Sequence, residues 1–197
     1  MPYQFSFYDQ QGLKFRENLH RFHCSATNDN GTHCHNICVI GEHYCWIHLL
    51  WKEHLRIRPS NIHGAGKGVF AINKRLPENA VIFHKGQTIM NYDGEEVTRQ
   101  TLDQRYGHHT APYGVEVSHR KNIYEDGAMQ RSVMSCVNSP PNGTQPNCRL
   151  TTNRGRTYCI VKATKDIRNG QELYADYGHE YRFGEEEGTH YSTRYVR

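Results

Sequence analysis

The 197-residue sequence lacks any apolar run long enough to cross a bilayer, since its longest apolar stretches are ICVI and WIHLLW. Its first ten residues, MPYQFSFYDQ, lack the basic-then-apolar layout of a secretory signal. A strong charge of one sign is missing too, because 24 Lys and Arg stand against 20 Asp and Glu. The net charge of +4 therefore neither favours nor excludes a nucleic-acid partner. We expect a soluble, intracellular protein with no membrane partner.

An even cysteine count is also missing, and seven cysteines fit poorly with a closed disulfide framework. Residues 1–55 hold four of the seven cysteines and seven of the fourteen histidines. In a reducing compartment this enrichment indicates metal binding rather than disulfides. The spacing C-x9-C-x10-C-x2-H selects four candidate ligands, which are Cys24, Cys34, Cys45 and His48.

These four side chains suit a tetrahedral, structural Zn²⁺, because three thiolates and an imidazole leave no open coordination position. The segment also resembles small zinc-binding modules of the form C-x-A-T-x-x-G-x-x-C…Y-C-x-x-H. Spacing alone leaves Cys38 and His35 open as competing ligands. Reduced cysteines in a small apolar cluster are the alternative interpretation.

The sequence divides into two units and a tail. Residues 1–55 form the Cys/His-rich zinc-binding module, and residues 182–197 form a C-terminal tail. Between them, residues 56–181 contain short strand-like runs separated by Gly, Asn and Pro, which predicts an α+β, mainly β domain. Helices are predicted in WIHLLWKEHLRI (46–57) and GEEVTRQTLDQRYG (94–107).

Six short motifs follow one another in the second unit, and each is weak alone. They are SNIHGAGKGVFA (60–71), YDGEE (92–96), PYGVEV (112–117), IYEDGAMQRSVMSCVNS (123–139), PNC (146–148) and ELYADYG (172–178). The first is not a Walker phosphate loop, because Lys67 is followed by Gly68. In this order the motifs resemble those of the SET-domain protein lysine methyltransferases. The resemblance covers about residues 56–181.

The resemblance implies a SET-domain fold of small sheets with a knot-like C-terminal crossing, in which the Asn138 segment meets ELYADYG. It further implies an S-adenosylmethionine-dependent protein-lysine N-methyltransferase, with cofactor and substrate lysine entering one channel from opposite faces. Histone tails are the commonest substrates of this family, so a histone or another basic protein is the expected partner. A nuclear location follows from that expectation.

The resemblance also assigns individual residues. Tyr177 matches the catalytic tyrosine beside the transferred methyl group. Tyr113 matches the tyrosine that lines the lysine channel, although packing at a strand start explains it equally well. The matches to the cofactor site are Ala65, Gly66, Lys67, Gly68, Tyr92, Asn138 and Ser139, with Tyr181 as a cover. Ala175 lies at the position of the channel that limits how many methyl groups fit.

Four departures from the family pattern stand out. Ser139 replaces a histidine, and RSVMSCV replaces the run G-N-x-x-R-F-I. Ala175 stands where many members carry Phe or Tyr, which leaves room for di- or trimethylation unless another aromatic side chain fills the gap. No cysteine follows Cys159, so the tail would close the site without a second zinc.

These departures keep a second hypothesis open, a non-catalytic SET-like module that binds peptide or chromatin. A nucleic-acid-binding zinc module ranks last, because no helix with clustered arginines is evident. The sequence leaves the target lysine and the oligomeric state open.

Overall fold

The computed structural model describes residues 3–8, 14–19, 23–38, 42–106, 111, 113–128, 130 and 132–178. In these ranges twelve strands form five small antiparallel sheets. The strands are β1 (Tyr3–Tyr8), β2 (Lys14–Leu19), β3 (Leu55–Pro59), β4 (Lys67–Ala71), β5 (Val81–Phe83), β6 (Thr88–Tyr92), β7 (Glu95–Val97), β8 (Gly114–Ser118), β9 (Ile123–Asp126), β10 (Cys148–Thr152), β11 (Cys159–Ala163) and β12 (Ile167–Arg168). They pair as β1–β2, β3–β4, β5–β12, β6–β11–β10 and β7–β9–β8. The predicted mainly β fold of small sheets is confirmed.

Three short helices complete the described structure: α1 (Trp46–Lys52), α2 (Arg99–Tyr106) and a 3-10 helix (Val133–Cys136). Within the described ranges, no helix combines the length and the apolar character that a bilayer span needs.

The predicted helix over 46–57 is wrong in its second half. The α1 helix ends at Lys52, and His54 has a left-handed φ of 55° that a continuing helix does not allow. The next residues form β3, which pairs with β4 in the register Leu55↔Ala71. Leu55 is buried and Arg58 is exposed, so the segment has one inward and one outward face.

The second predicted helix begins later than expected. Glu95–Val97 forms β7 against β9, and α2 starts at Arg99. The hairpin of β1 and β2 lies in a unit whose sequence shows little strand alternation, and it was missed.

The main core joins both predicted units. Leu49 from α1 is fully buried in the same cluster as Val69 of β4, Val161 of β11 and Leu173 near the C-terminus. A second cluster surrounds α2 and holds Leu102, Tyr106, Tyr113 and Tyr124. The first unit is therefore packed onto the second through its helix, while the boundaries at 55 and 181 stay predictions.

Candidate active site and metal cluster

The C-terminal segment crosses between two distant parts of the chain. Leu173 N donates to Val69 O at 2.7 Å, and Ala175 N donates to Asn138 O at 3.0 Å. On the other side Cys148 N donates to Tyr174 O at 3.0 Å. Asn138 and Tyr174 form a parallel bridge, as do Cys148 and Ala175. The predicted knot-like crossing is thus confirmed.

Asn138 is anchored inside this crossing by its side-chain amide. Its Nδ2 lies 3.0 Å from Lys67 O, 3.2 Å from Ser60 Oγ and 3.2 Å from Glu172 Oε1. These partners fix the amide orientation, because a flipped amide would turn its oxygen towards the Lys67 carbonyl and the Glu172 carboxylate. The amide oxygen Oδ1 accepts no hydrogen bond from any residue that the structure describes.

Glu172 organises the same crossing and was not assigned a role from the sequence. Its carboxylate is only 3% exposed and accepts hydrogen bonds from Ser60 Oγ at 2.7 Å, Asn61 N at 2.8 Å and Tyr174 OH at 2.9 Å. Burial and the neighbouring Glu172 raise the pKa of Tyr174 to about 12, so this phenol remains a donor at neutral pH. Four donors, counting Asn138, therefore satisfy a carboxylate that would otherwise be costly to bury.

Gly68 lets β4 approach this carboxylate. A Cβ at this position would lie 1.9 Å from Glu172 Oε1 and 3.3 Å from Asn138 Nδ2. The turn before β4 is closed by Ser60 N donating to Gly66 O at 2.9 Å, and Gly66 has a φ of 71°. Ala65 is buried and Lys67 is exposed. Of the four predicted cofactor residues, Lys67 and Gly68 thus lie beside Asn138, and Ala65 and Gly66 precede them in the same turn.

Tyr177 lies beside the Asn138 segment as well. Its hydroxyl donates to Val137 O at 2.5 Å, across 40 residues of sequence. Because the phenol hydrogen is directed at this carbonyl, the oxygen faces any further partner as an acceptor.

The other predicted site residues are distributed around this centre. Tyr92 is buried, and its hydroxyl donates to Tyr113 O at 2.8 Å. The Tyr113 ring, 5% exposed, packs in the second cluster beside α2. Ser139 is half-buried next to Asn138, and Ala175 is fully buried in the main core. Tyr181 and the tail 182–197 lie outside the described residues.

The four predicted metal ligands come together in the first unit. One ligand atom from each of Cys24, Cys34, Cys45 and His48 lies within 4.8 Å of the others. His48 Nδ1 is 3.4 Å from both the Cys24 and the Cys45 sulfur. Burial acts to raise the pKa of Cys45, but the backbone N–H groups of His48 and Ile47 lower it to about 6, which favours the thiolate. The predicted Cys3His cluster is confirmed, and its donor set fits tetrahedral Zn²⁺.

A family model described as SET domain matches residues 66–178, more than half of the chain. The chain belongs to the SET-domain family. The match contains the turn at Gly66, Asn138 and Tyr177, and it ends at Gly178 of ELYADYG.

Solved structures are similar to the chain at low sequence identity. The chain is similar to the crystal structure of the Chaetomium thermophilum polycomb repressive complex 2, with 21% identity and a TM-score of 0.50 over 64% of this chain. It is also similar to ctPRC2 in an autoinhibited conformation bound to S-adenosylmethionine, with 20% identity and a TM-score of 0.49 over 64% of this chain. The chain spans 15% of the length of each of those chains, and the likeness concerns the fold alone. A search of curated proteins found no match.

Two buried carboxyl groups of this SET-domain protein titrate near neutral pH. Burial raises the pKa of Glu42 from 4.5 to about 7, and the nearby acids Asp93 and Glu53 raise it further. The hydrogen bond that Glu42 accepts from the Val133 N–H acts in the opposite direction. Burial likewise raises the pKa of Glu125 to about 7, against the N–H of Cys159. The carboxyl groups of Glu42 and Glu125 therefore each bind a proton more tightly in the folded state than in the unfolded state.

Stability is expected to fall as the pH rises through 7. A raised pKa in the folded state contributes stability that is complete below pH 4.5 and is lost as the group ionises. Glu42→Gln keeps the acceptor oxygen and removes the titrating group. Between pH 5.5 and 8.5 its free energy of unfolding should therefore fall by roughly 1–3 kcal/mol less than that of wild type. Urea unfolding at several pH values measures this, with exposed Glu78→Gln as the matched control. Identical pH profiles for wild type and Glu42→Gln would contradict the assignment.

Proposed function

We propose that this chain is an S-adenosylmethionine-dependent protein-lysine N-methyltransferase that acts on histone tails or another basic protein. The observation that carries the proposal is the meeting of the Asn138 and Tyr177 segments, with the Tyr177 hydroxyl held on Val137 O at 2.5 Å. The proposal rests on SET-domain membership together with this geometry.

Asn138 would hold the amino-acid part of the cofactor. Its Oδ1 has no described partner, while its Nδ2 is committed to three acceptors. A carbonyl oxygen fixed in this way suits a ligand ammonium group. The adjacent turn would contribute backbone at Gly66 and Gly68, and the exposed Lys67 ammonium suits a carboxylate. Tyr92 and the half-buried Ser139 complete the proposed cofactor contacts that fall on described residues.

Bound S-adenosylmethionine supplies an electrophilic methyl group on a positive sulfonium. Transfer breaks the sulfur–methyl bond, forms a nitrogen–methyl bond and releases one proton from the lysine. Lysine has an ordinary pKa of about 10.4, so the channel must favour the neutral amine. A dry channel close to a positive charge does so, because both disfavour the ammonium form.

Tyr177 would position the amine and stabilise the moving methyl group. Its oxygen is oriented as an acceptor by the Val137 hydrogen bond, which suits an amine N–H and the polarised C–H groups of the methyl. Most of the rate gain would come from this preorganised arrangement rather than from a covalent intermediate. We keep Tyr113 and Ala175 as proposed channel residues, and the small Ala175 side chain favours di- or trimethylated product.

The test is transfer of labelled methyl groups from S-adenosylmethionine to core histones by the purified chain, followed by mass spectrometry of the histone lysines. We expect labelled lysine carrying two or three methyl groups. Strict monomethylation would contradict the proposed role of Ala175.

The second candidate function is a non-catalytic module that binds peptide or chromatin. Ser139 in place of the family histidine is the observation that favours it. Measurable cofactor binding without labelling of any basic protein would support this candidate over the enzyme.

We also propose that the Cys3His cluster binds one structural Zn²⁺. Cys34→Ser removes a buried thiolate, so bound zinc should fall well below one per chain. The thermal midpoint should fall with it, by about 2–4 °C for each kcal/mol of stability lost. Elemental analysis and thermal unfolding measure the two effects. Cys38→Ser is the control, since Cys38 lies outside the cluster of four; zinc loss in the control and not in Cys34→Ser would contradict the ligand set.

A further inference from the structure

Glu42 is a buried carboxylate that makes a long-range contact. It is 4% exposed, and its Oε1 accepts the backbone N–H of Val133 at 2.5 Å, 91 residues further along the chain. Val133 is the first residue of the 3-10 helix Val133–Cys136. The carboxylate therefore satisfies one of the backbone N–H groups that a helix leaves unpaired at its start.

The helix lacks a cap from its own sequence. Ser132 occupies the N-cap position but makes no side-chain cap hydrogen bond. Its hydroxyl is the one buried polar side-chain atom without a partner in the part of the chain that the structure describes. A serine at this position ordinarily supplies the cap itself. Glu42 takes over this function from a distant segment.

The capped helix leads directly into the proposed active site. Val137 N donates to Met134 O at 3.1 Å and closes the helix. Val137 O then accepts the Tyr177 hydroxyl, and Asn138 carries the amide that faces the proposed cofactor. A shift at Val133 would thus displace the carbonyl that orients the phenol and the residue beside it.

On its other side, the segment that contains Glu42 is joined to the metal cluster through the next two residues, His43 and Tyr44. Cys45 follows Glu42 by three residues, and His43 O accepts both Ser25 N at 2.9 Å and Ser25 Oγ at 3.0 Å. Ser25 is adjacent to the ligand Cys24. Tyr44 packs against both the cysteine cluster and the main core. Both contacts therefore join the Glu42 segment to residues in or next to the metal cluster.

We propose that Glu42 is a positioning residue that couples the Cys3His site to the cofactor-binding segment, so that metal occupancy controls cofactor affinity. The cofactor part of this inference rests on the proposed function. The link itself, from the metal cluster through Glu42 to residues 132–138, stands on the geometry alone.

The first readout is S-adenosylmethionine affinity of the full chain, measured by calorimetry well below the thermal midpoint. Glu42→Ala should weaken binding by roughly tenfold or more, with bound zinc unchanged. Glu42→Gln should recover affinity to within about threefold, because its amide oxygen still accepts the Val133 N–H. The exposed control Glu78→Ala should match wild type. Wild-type affinity in Glu42→Ala, with a lowered thermal midpoint alone, would overturn the proposal.

The coupling is tested by a cycle of metal removal and mutation. Chelation should weaken cofactor binding in wild type, and it should have little further effect in Glu42→Ala because the link is already broken. Equal losses on chelation in both proteins would show that the metal acts by another route.

A second readout separates this inference from the proposed function. Backbone amides of residues 132–138 should exchange hydrogen roughly tenfold faster or more in Glu42→Ala and in metal-stripped wild type, while β11 stays protected. If wild type binds no S-adenosylmethionine, the proposed function fails. The exchange rates at residues 132–138 still test whether Glu42 links that segment to the metal cluster. Unchanged exchange at 132–138 would overturn it.

Discussion

Tyr177→Phe is expected to reduce methyl transfer by roughly a hundredfold or more, which corresponds to about 2.7 kcal/mol of transition-state stabilisation. The substitution removes only the hydroxyl, whose oxygen would contact the amine and the moving methyl group. It also removes the hydrogen bond to Val137 O. Cofactor affinity should stay within about threefold of wild type, because the Asn138 side chain and the turn before β4 keep their partners. Single-turnover rates and calorimetry measure the two quantities separately.

The exposed Tyr158→Phe serves as the matched control, since it deletes the same atom outside the site. It should leave the transfer rate and the cofactor affinity unchanged. Equal transfer rates for Tyr177→Phe and wild type would remove Tyr177 from its proposed catalytic role. A large loss of cofactor affinity with normal single-turnover chemistry would assign it to binding instead.

Gly68→Ala is expected to damage both stability and cofactor binding. The new Cβ would lie 1.9 Å from Glu172 Oε1, and Ser60, Asn61 and Tyr174 hold that carboxylate in place. Because the acid cannot swing aside without losing these donors, the strand must move. Overpacking of this kind costs about 1–3 kcal/mol, and we expect the cofactor affinity to fall by roughly tenfold or more.

Gly155→Ala is the control for losing a glycine without a clash, because its nearest contacts would lie 3.7 and 3.8 Å away. Its unfolding free energy and cofactor affinity should match wild type. Urea unfolding and calorimetry decide the comparison. Wild-type behaviour in Gly68→Ala would mean that the close approach to Glu172 is not needed for the site.

The metal cluster could be predicted from spacing, and the crossing could not. Cys45 and His48 are separated by two residues at the start of α1, so the sequence alone brings their side chains together. The hydrogen bond between the Asn138 and Tyr177 segments joins Tyr177 to Val137 across 40 residues, and no periodicity indicates it. The crossing was predicted only because the motif order resembles the SET family.

Glu172 and Glu42 show where sequence reasoning ends. Glu172 was quoted within ELYADYG, but its donors Ser60 and Asn61 lie more than 100 residues earlier. Glu42 similarly contacts Val133 across 91 residues. Nothing in the sequence around a single acid shows that it will be buried, because its hydrogen-bond donors come from distant parts of the chain. The second half of the predicted helix over 46–57 was wrong for a local reason, because no Gly or Pro marks the turn at His54.

The most direct test is a crystal structure of the full chain with S-adenosylhomocysteine and a lysine peptide. Our account predicts the amino-acid part of the ligand beside Asn138, the lysine nitrogen beside the Tyr177 hydroxyl, and one narrow channel between the ligand sulfur and the lysine. The ligand on another face, or packed side chains between Asn138 and Tyr177, would contradict it.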